Sequence, residues 1–99
     1  MTLDDTIARL RSFRDARDWE RYHTPGNLAA AISVEAGELL ELFEWGATPT
    51  AEAVCAELSD VVIYALNLAE ALDVDVLAIV NAKIDENETR EWKRDGTLE

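Results

Sequence analysis

The sequence predicts an all-α fold: four helices in a bundle-like arrangement, joined by short loops and expected to oligomerise. Three observations carry this. Apolar residues recur at helical spacing in four successive stretches. Each stretch opens on a capping residue: Thr2, Thr24, Thr50 or Thr48, and Asp73 or Asp75. The third stretch is apolar on every side, as suits a helix central to a bundle or buried between subunits. No repeat, low-complexity tract or linker interrupts the pattern, so residues 1–99 read as one domain.

The first helix follows Thr2, with Asp4 and Asp5 at the positive end of its dipole. Leu3, Ile7, Leu10 and Phe13 or Arg14 make a one-sided apolar stripe, and the helix fades near Arg17 to Trp19. Thr24 as cap and Pro25 at the first helical position start a second helix, read from about Pro25 to Trp45, with Gly46 as its stop. Leu28, Ile32, Ala36, Leu39 and Phe43 share one face of it. The third helix runs from about Ala51 to Leu72, and Cys55 within it reads as a small core residue. The fourth runs from about Val76 to Arg90, with Val76, Ile79 and Val80 as its buried side. The polar tail from Trp92 to Glu99 reads as frayed.

A net charge of −12 argues against nucleic-acid or anionic-membrane binding, both of which want basic surface. It leaves room for a small anionic ligand held by a metal and a local basic stripe. One cysteine forms no internal disulfide framework. Met1-Thr-Leu-Asp-Asp does not resemble a secretory signal, and no apolar run reaches membrane-spanning length, so a cytoplasmic protein is expected.

Two acidic pairs carry the chemistry: Glu35 with Glu38, and Glu57 with Asp60. Each pair is spaced i, i+3, so its members share a helix face. Counting ~100° per residue from Glu35, Glu38 flanks the apolar stripe while Glu41 and Glu44 face away and read as solvated. Glu57 and Asp60 enter the most apolar helix, where a solvated role fits poorly. Four carboxylates brought together in a low-dielectric core need a cation among them. An all-oxygen donor set suits Mg²⁺, or Mn²⁺ in its place, rather than Zn²⁺ or Cu²⁺. A di-iron bundle would need Glu-x-x-His pairs, and the single histidine, His23, lies outside both.

Mg²⁺ typically bridges carboxylates to substrate phosphates. Lys83, Asn87 and Arg90, at i, i+4 and i+7, offer two cations and an amide for phosphate oxygens, or else ordinary charge at a helix C-terminus. Trp19, Tyr22, His23 and Trp45 gather aromatic faces that could stack on a flat base or fill core. Tyr64 and Asn67 continue the face of Asp60. No Ser/His/Asp or Cys/His nucleophile arrangement, Gly-rich dinucleotide loop or P-loop occurs. Metal-activated water is the available nucleophile, with Glu35 or Glu38 as the base that holds it.

These residues resemble the all-α nucleoside triphosphate pyrophosphohydrolases of the MazG-like superfamily, nearest to the small dCTP pyrophosphatase branch. The resemblance covers roughly residues 17–90 and rests on RDWERYHTP (17–25), EAGELLELFEW (35–45), ELSDVVIY (57–64) and Lys83 with Asn87. It implies a single MazG-like domain and a Mg²⁺-dependent split between the α- and β-phosphates. It implies Glu35, Glu38, Glu57 and Asp60 as metal ligands. It implies Trp19 to His23, Trp45 and Tyr64 around the nucleotide, with Lys83 and Asn87 near the phosphates. It also implies a homotetramer or at least a dimer. The chain departs at Leu10, where some members carry His, at Gly26, where a basic residue is common, and at Glu91-Trp92, in place of Tyr-Pro.

The leading expectation is therefore an enzyme that cleanses the nucleotide pool, taking dCTP or a modified pyrimidine deoxynucleotide to its monophosphate and pyrophosphate. The alternatives are dUTP or a broad set of triphosphates as substrate, and a non-catalytic helical oligomer that binds a nucleotide or a protein.

Overall fold

Side-chain caps start every helix in the computed structural model of the chain, which describes residues 1–90. Thr2 opens α1 (Leu3–Ala16) with a reciprocal box: the Asp5 amide donates to the Thr2 hydroxyl at 3.1 Å and the Thr2 amide to the Asp5 carboxylate at 2.9 Å. Thr24 accepts from the Asn27 amide and, with Pro25 behind it, opens α2 (Pro25–Glu41). Thr50 and Asp75 do the same for α3 (Ala51–Ala71) and α4 (Val76–Glu88). Short 3₁₀ turns, Glu20–Tyr22 and Glu44–Gly46, sit in the first two connections. Among the described residues there is no strand. The expectations for Trp92 to Glu99 and for Glu91-Trp92 lie outside the described residues.

The second helix stops at Glu41, four residues short of the predicted end at Trp45. The Leu42 and Phe43 amides turn back to Leu39 and Leu40, tightening the last turn. Trp45 then takes a left-handed conformation (φ 60°, ψ 28°) and Gly46 follows at φ 71°. Two successive positive φ values reverse the chain, and glycine tolerates the second without a Cβ clash. Trp45 therefore does not continue the edge of Glu38, and its side chain is fully exposed.

Helices α2 and α3 form the main packed pair, α1 lies across α3, and α4 makes only sparse contact with the rest. The core is Leu28 from α2 with Leu66 and Ala69 from α3. Arg11 ties α1 to α3: its Nε and Nη2 donate to one Glu70 oxygen at 3.0 and 2.7 Å.

One chain leaves much apolar surface open. Leu58, Val62 and Ile63 of α3 are exposed, although their helix was predicted to be central. Cys55, predicted as core, is exposed too. On α4, Val76 is half-buried, but Ile79 and Val80, predicted as its buried side, are 50% and 48% exposed because no helix among the described residues covers them. The radius of gyration, 16.0 Å, exceeds the roughly 13 Å of a self-contained domain of this length.

Candidate metal centre and cavity

The packing of α2 on α3 sets the first acidic pair against the second. Glu35, Glu57 and Asp60 each bring a carboxylate oxygen to within 4.8 Å of the others. Glu35 and Glu57 are half-buried and Asp60 is exposed at the rim. One oxygen of Glu35 and one of Glu57 (each Oε2) are sealed from solvent with no hydrogen-bond partner among the described residues. Burial pushes the Glu35 carboxyl above its ordinary pKa, and the carboxylates of Glu38, Asp60 and Glu57 add to the shift. Glu57 is raised the same way, first by burial and then by Glu38 and Asp60. Glu38 thus stands beside the cluster without belonging to its tightest three. Unpaired buried oxygens at such spacing are costly in themselves, and a hard divalent cation removes the cost. The residues present fit Mg²⁺ or Mn²⁺: every donor is oxygen, and no thiol or imidazole joins them.

Asp60 also lines a cavity of about 540 Å³ between α1 and α3. From α3 come Asp60, Ile63, Tyr64 and Asn67, on one helix face. From α1 come Thr6, Leu10 and Phe13, with Arg9 and Arg14 beside them. Trp19 and His23 close the wall from the connection that follows. That connection is held in place locally. The Trp19 amide returns to the Arg14 carbonyl, and the Trp19 ring meets Phe13 edge-on with centroids 5.5 Å apart. His23 lies 6.4 Å from Trp19, its Nδ1 buried without a partner among the described residues. Burial, then the positive charge of Arg14, lowers its pKa and favours neutral imidazole.

The predicted site residues divide accordingly. Glu35, Glu57 and Asp60 come together, with Glu38 beside them. Trp19, His23 and Tyr64 share the cavity wall. Tyr22 does not line that cavity: it is 56% exposed, under the guanidinium of Arg21 at 4.8 Å. Trp45 stands in solvent for the backbone reason given above. Lys83 and Arg90 also lie away from the cavity, and both pair with Glu86 of α4, Arg90 from just beyond the helix, which ends at Glu88 rather than at the predicted Arg90. Asn87 is half-buried on the same helix. Phe13, Arg9, Arg14 and Asn67 were not predicted as site residues. The first three read as part of an amphipathic rod. Asn67 did carry a signal, as an amide inside an otherwise apolar helix on the face of Asp60.

The MazG-like family model matches residues 30–99. The chain is 44% identical over 100 residues to mouse (Mus musculus) dCTP pyrophosphatase 1 and 43% identical over 100 residues to the human (Homo sapiens) protein. Each alignment covers 90% of this chain but only 58% of the relative's length. Among solved structures, a pyrophosphatase from Archaeoglobus fulgidus superposes with a TM-score of 0.78 at 37% identity, over 87% of this chain and 88% of that one. The MazG-like pyrophosphohydrolase of cyanophage S-2L, bound to dGDP and three catalytic Mn²⁺ ions per active site, superposes with a TM-score of 0.75 at 30% identity, over 100% of this chain and 92% of that one.

Proposed function

The chain belongs to the MazG-like family, and from that premise we propose that it is a divalent-metal-dependent nucleoside triphosphate pyrophosphohydrolase. Its substrate is dCTP or another pyrimidine deoxynucleotide, and its products are the monophosphate and pyrophosphate. One observation carries the reading: Asp60 belongs both to the carboxylate cluster and to the aromatic-walled cavity. A metal at the cluster and a base in the cavity would thus be two ends of one ligand. The dCTP pyrophosphatases and the dGDP- and Mn²⁺-bound phage enzyme support that pairing.

Glu35, Glu38, Glu57 and Asp60 would hold Mg²⁺, with Mn²⁺ as a substitute. An ion there supplies charge neutralisation for the phosphates and acidifies water. Glu38 or Glu35 orients the attacking water and takes its proton. Attack at the α-phosphorus breaks its bond to the bridging oxygen, and pyrophosphate carries that oxygen away. Trp19, His23 and Tyr64 bound the base, with the imidazole of His23 favoured in its neutral form.

Residues 1–99 act as a single domain in this reading, in the cytoplasm. No helix among the described residues is long and apolar enough to cross a membrane. Copies of the chain assemble as a dimer or tetramer over the open faces of α3 and α4. Tyr22, Trp45, Lys83, Asn87 and Arg90 then bind substrate across a subunit boundary, since the cavity within one chain does not include them.

The test is a panel of canonical and modified triphosphates incubated with Mg²⁺, with the products identified. Pyrophosphate and a nucleoside monophosphate, fastest from a pyrimidine deoxynucleotide, are expected. Orthophosphate with a diphosphate, or no turnover of any triphosphate, overturns the proposal.

A further inference from the structure

The geometry points to Asn67 as the residue that reads the hydrogen-bonding edge of the base. This rests on the nucleotide reading above and assigns a specificity role within that site. Asn67 is 8% exposed, and among the described residues it is the one buried polar side chain. An amide carries two donors and an acceptor, and buried ones are ordinarily paired. No hydrogen bond among the described residues engages this one. Nor are its polar atoms sealed in protein as those of Glu35 and Glu57 are; they reach the cavity surface.

Its immediate neighbours among the described residues do not satisfy it. Leu10, Phe13 and Ile63 of the same cavity are apolar. The Thr6 hydroxyl donates its proton to the Thr2 carbonyl at 3.2 Å and makes no bond to Asn67. A half-sealed amide that is unpaired by its neighbours and open to a cavity is placed to be matched by a ligand in that cavity. Its place along α3 says what. Asp60, Tyr64 and Asn67 follow one face, and seven residues of helix put Asn67 about 10 Å beyond Asp60. That is of the order of the reach from a nucleotide's α-phosphate, across the sugar, to the far edge of a pyrimidine. With phosphates at the Asp60 end and a ring between Trp19 and Tyr64, the base edge arrives at Asn67.

The carboxamide sets an acceptor beside a donor. It complements the N4 amino group and N3 of cytosine and, turned over, the O4 and N3–H of uracil. Nothing among the described residues holds it one way round, and its terminal torsion is broadly two-fold. Asn67 therefore demands an adjacent donor and acceptor without itself separating cytosine from uracil.

The test compares dCTP, dUTP and the 2-pyrimidinone deoxynucleoside triphosphate, which lacks the exocyclic group at C4. In Asn67→Leu, kcat/KM for dCTP and dUTP should fall by similar factors of about 10 or more relative to the 2-pyrimidinone. Its ligand-free Tm should equal or exceed that of wild type, since a buried unpaired amide has gone. Asn67→Ala should lose the same selectivity. An unchanged selectivity ratio in both variants overturns the inference. So does an equal loss on all three substrates, or a lowered Tm in Asn67→Leu with selectivity intact, which would mark a structural amide. Binding of the three corresponding monophosphates separates this from the parent reading, because it needs no turnover. A wild-type protein that binds dCMP at least 10-fold tighter than the 2-pyrimidinone monophosphate, with Asn67→Leu erasing that preference, supports Asn67 even if no triphosphate is cleaved. A wild-type protein without that preference overturns the inference even if triphosphates are.

Discussion

Glu35 on α2 and Glu57 on α3 each aim one carboxylate oxygen into the interface of the two best-packed helices, and neither oxygen has a hydrogen-bond partner among the described residues. With Asp60 they place three carboxylate oxygens within 4.8 Å of one another. The helix pair that builds the core therefore also carries its least comfortable charges. Such a arrangement is relieved in two ways, by a cation or by protonation, and the two relief routes make opposite demands on pH.

Replacing Glu57 by Gln removes one of the repelling charges and keeps the side chain's shape. The metal-free variant should melt at or above the wild-type temperature. It should also lose most of the stabilisation that Mg²⁺ or Mn²⁺ gives wild type. Losing a group that merely orients a metal ligand typically costs 10–100-fold in affinity or activity, so losing a ligand should cost on the order of 100-fold or more in pyrophosphate release. Thermal melts with and without metal, paired with a product assay, check this. Wild-type metal response in Glu57→Gln would remove Glu57 from the cluster's role.

The pH dependence follows from the raised pKa values of Glu35 and Glu57. A carboxyl whose folded pKa lies above its unfolded one contributes stability that is complete below the unfolded pKa and is lost as pH rises through the folded one. Metal-free protein should thus gain Tm as pH falls from 7 toward 5. Saturating Mg²⁺ should flatten or reverse that slope, because metal and protons compete for the same oxygens. Asp5 and Glu86 act oppositely. Asp5 is held low by its hydrogen bonds to Thr2, and Glu86 by Lys83 and then Arg90, so their contributions fade only at more acidic pH. Melts across this range, with chelator and with metal, read the difference. A metal-free Tm that falls on acidification from 7 would contradict the assignment.

Trp19 owes its position to two contacts with α1, the amide bond to the Arg14 carbonyl and the edge contact with Phe13. It is 43% exposed in a cavity wall, so it contributes little to the core. Stacking of a base on an aromatic ring is worth about 1–3 kcal/mol. Trp19→Ala should therefore raise KM for the triphosphate by roughly 10- to 100-fold with a smaller effect on kcat, while stability changes little. A loss confined to kcat would place Trp19 at the phosphates instead.

The helix framework and the acidic pairs of the carboxylate cluster were legible because both are local. A cap is written in the residues that make it, and an i, i+3 acidic pair shares a face wherever its helix packs. What was not legible depended on tertiary geometry. Trp45 left the helix because Leu42 and Phe43 tightened the last turn and Trp45 and Gly46 turned left-handed, which no apolar period announces. Arg9, Phe13 and Arg14 became cavity residues only through the way α1 lies across α3. Val80 and Ile79 followed a stripe of the buried kind, and a stripe says that something should cover it without saying that the cover comes from the same chain.

That last point yields a prediction of its own. Val62 on α3 is 46% exposed, and Leu77, Ile79, Val80 and Ile84 on α4 are 46–55% exposed. Scattered apolar residues on a surface need no explanation, but a run along one helix beside an open face of a second one does. Among the described residues only Leu28, Leu66 and Ala69 are buried as apolar core, and burying these faces against another copy is the direct remedy. The protein should sediment as a dimer or tetramer at micromolar concentration. Val62→Glu, which would set a charge in the covered face, should shift it toward monomer. Covering each half-exposed apolar side chain contributes on the order of 1 kcal/mol, so Tm should fall and become concentration-dependent. If Lys83, Asn87 and Arg90 serve a neighbouring copy's cavity, pyrophosphate release should fall in step with the fraction assembled. A fully active monomer would show instead that the cavity within one chain suffices and that the open faces of α3 and α4 serve some other contact.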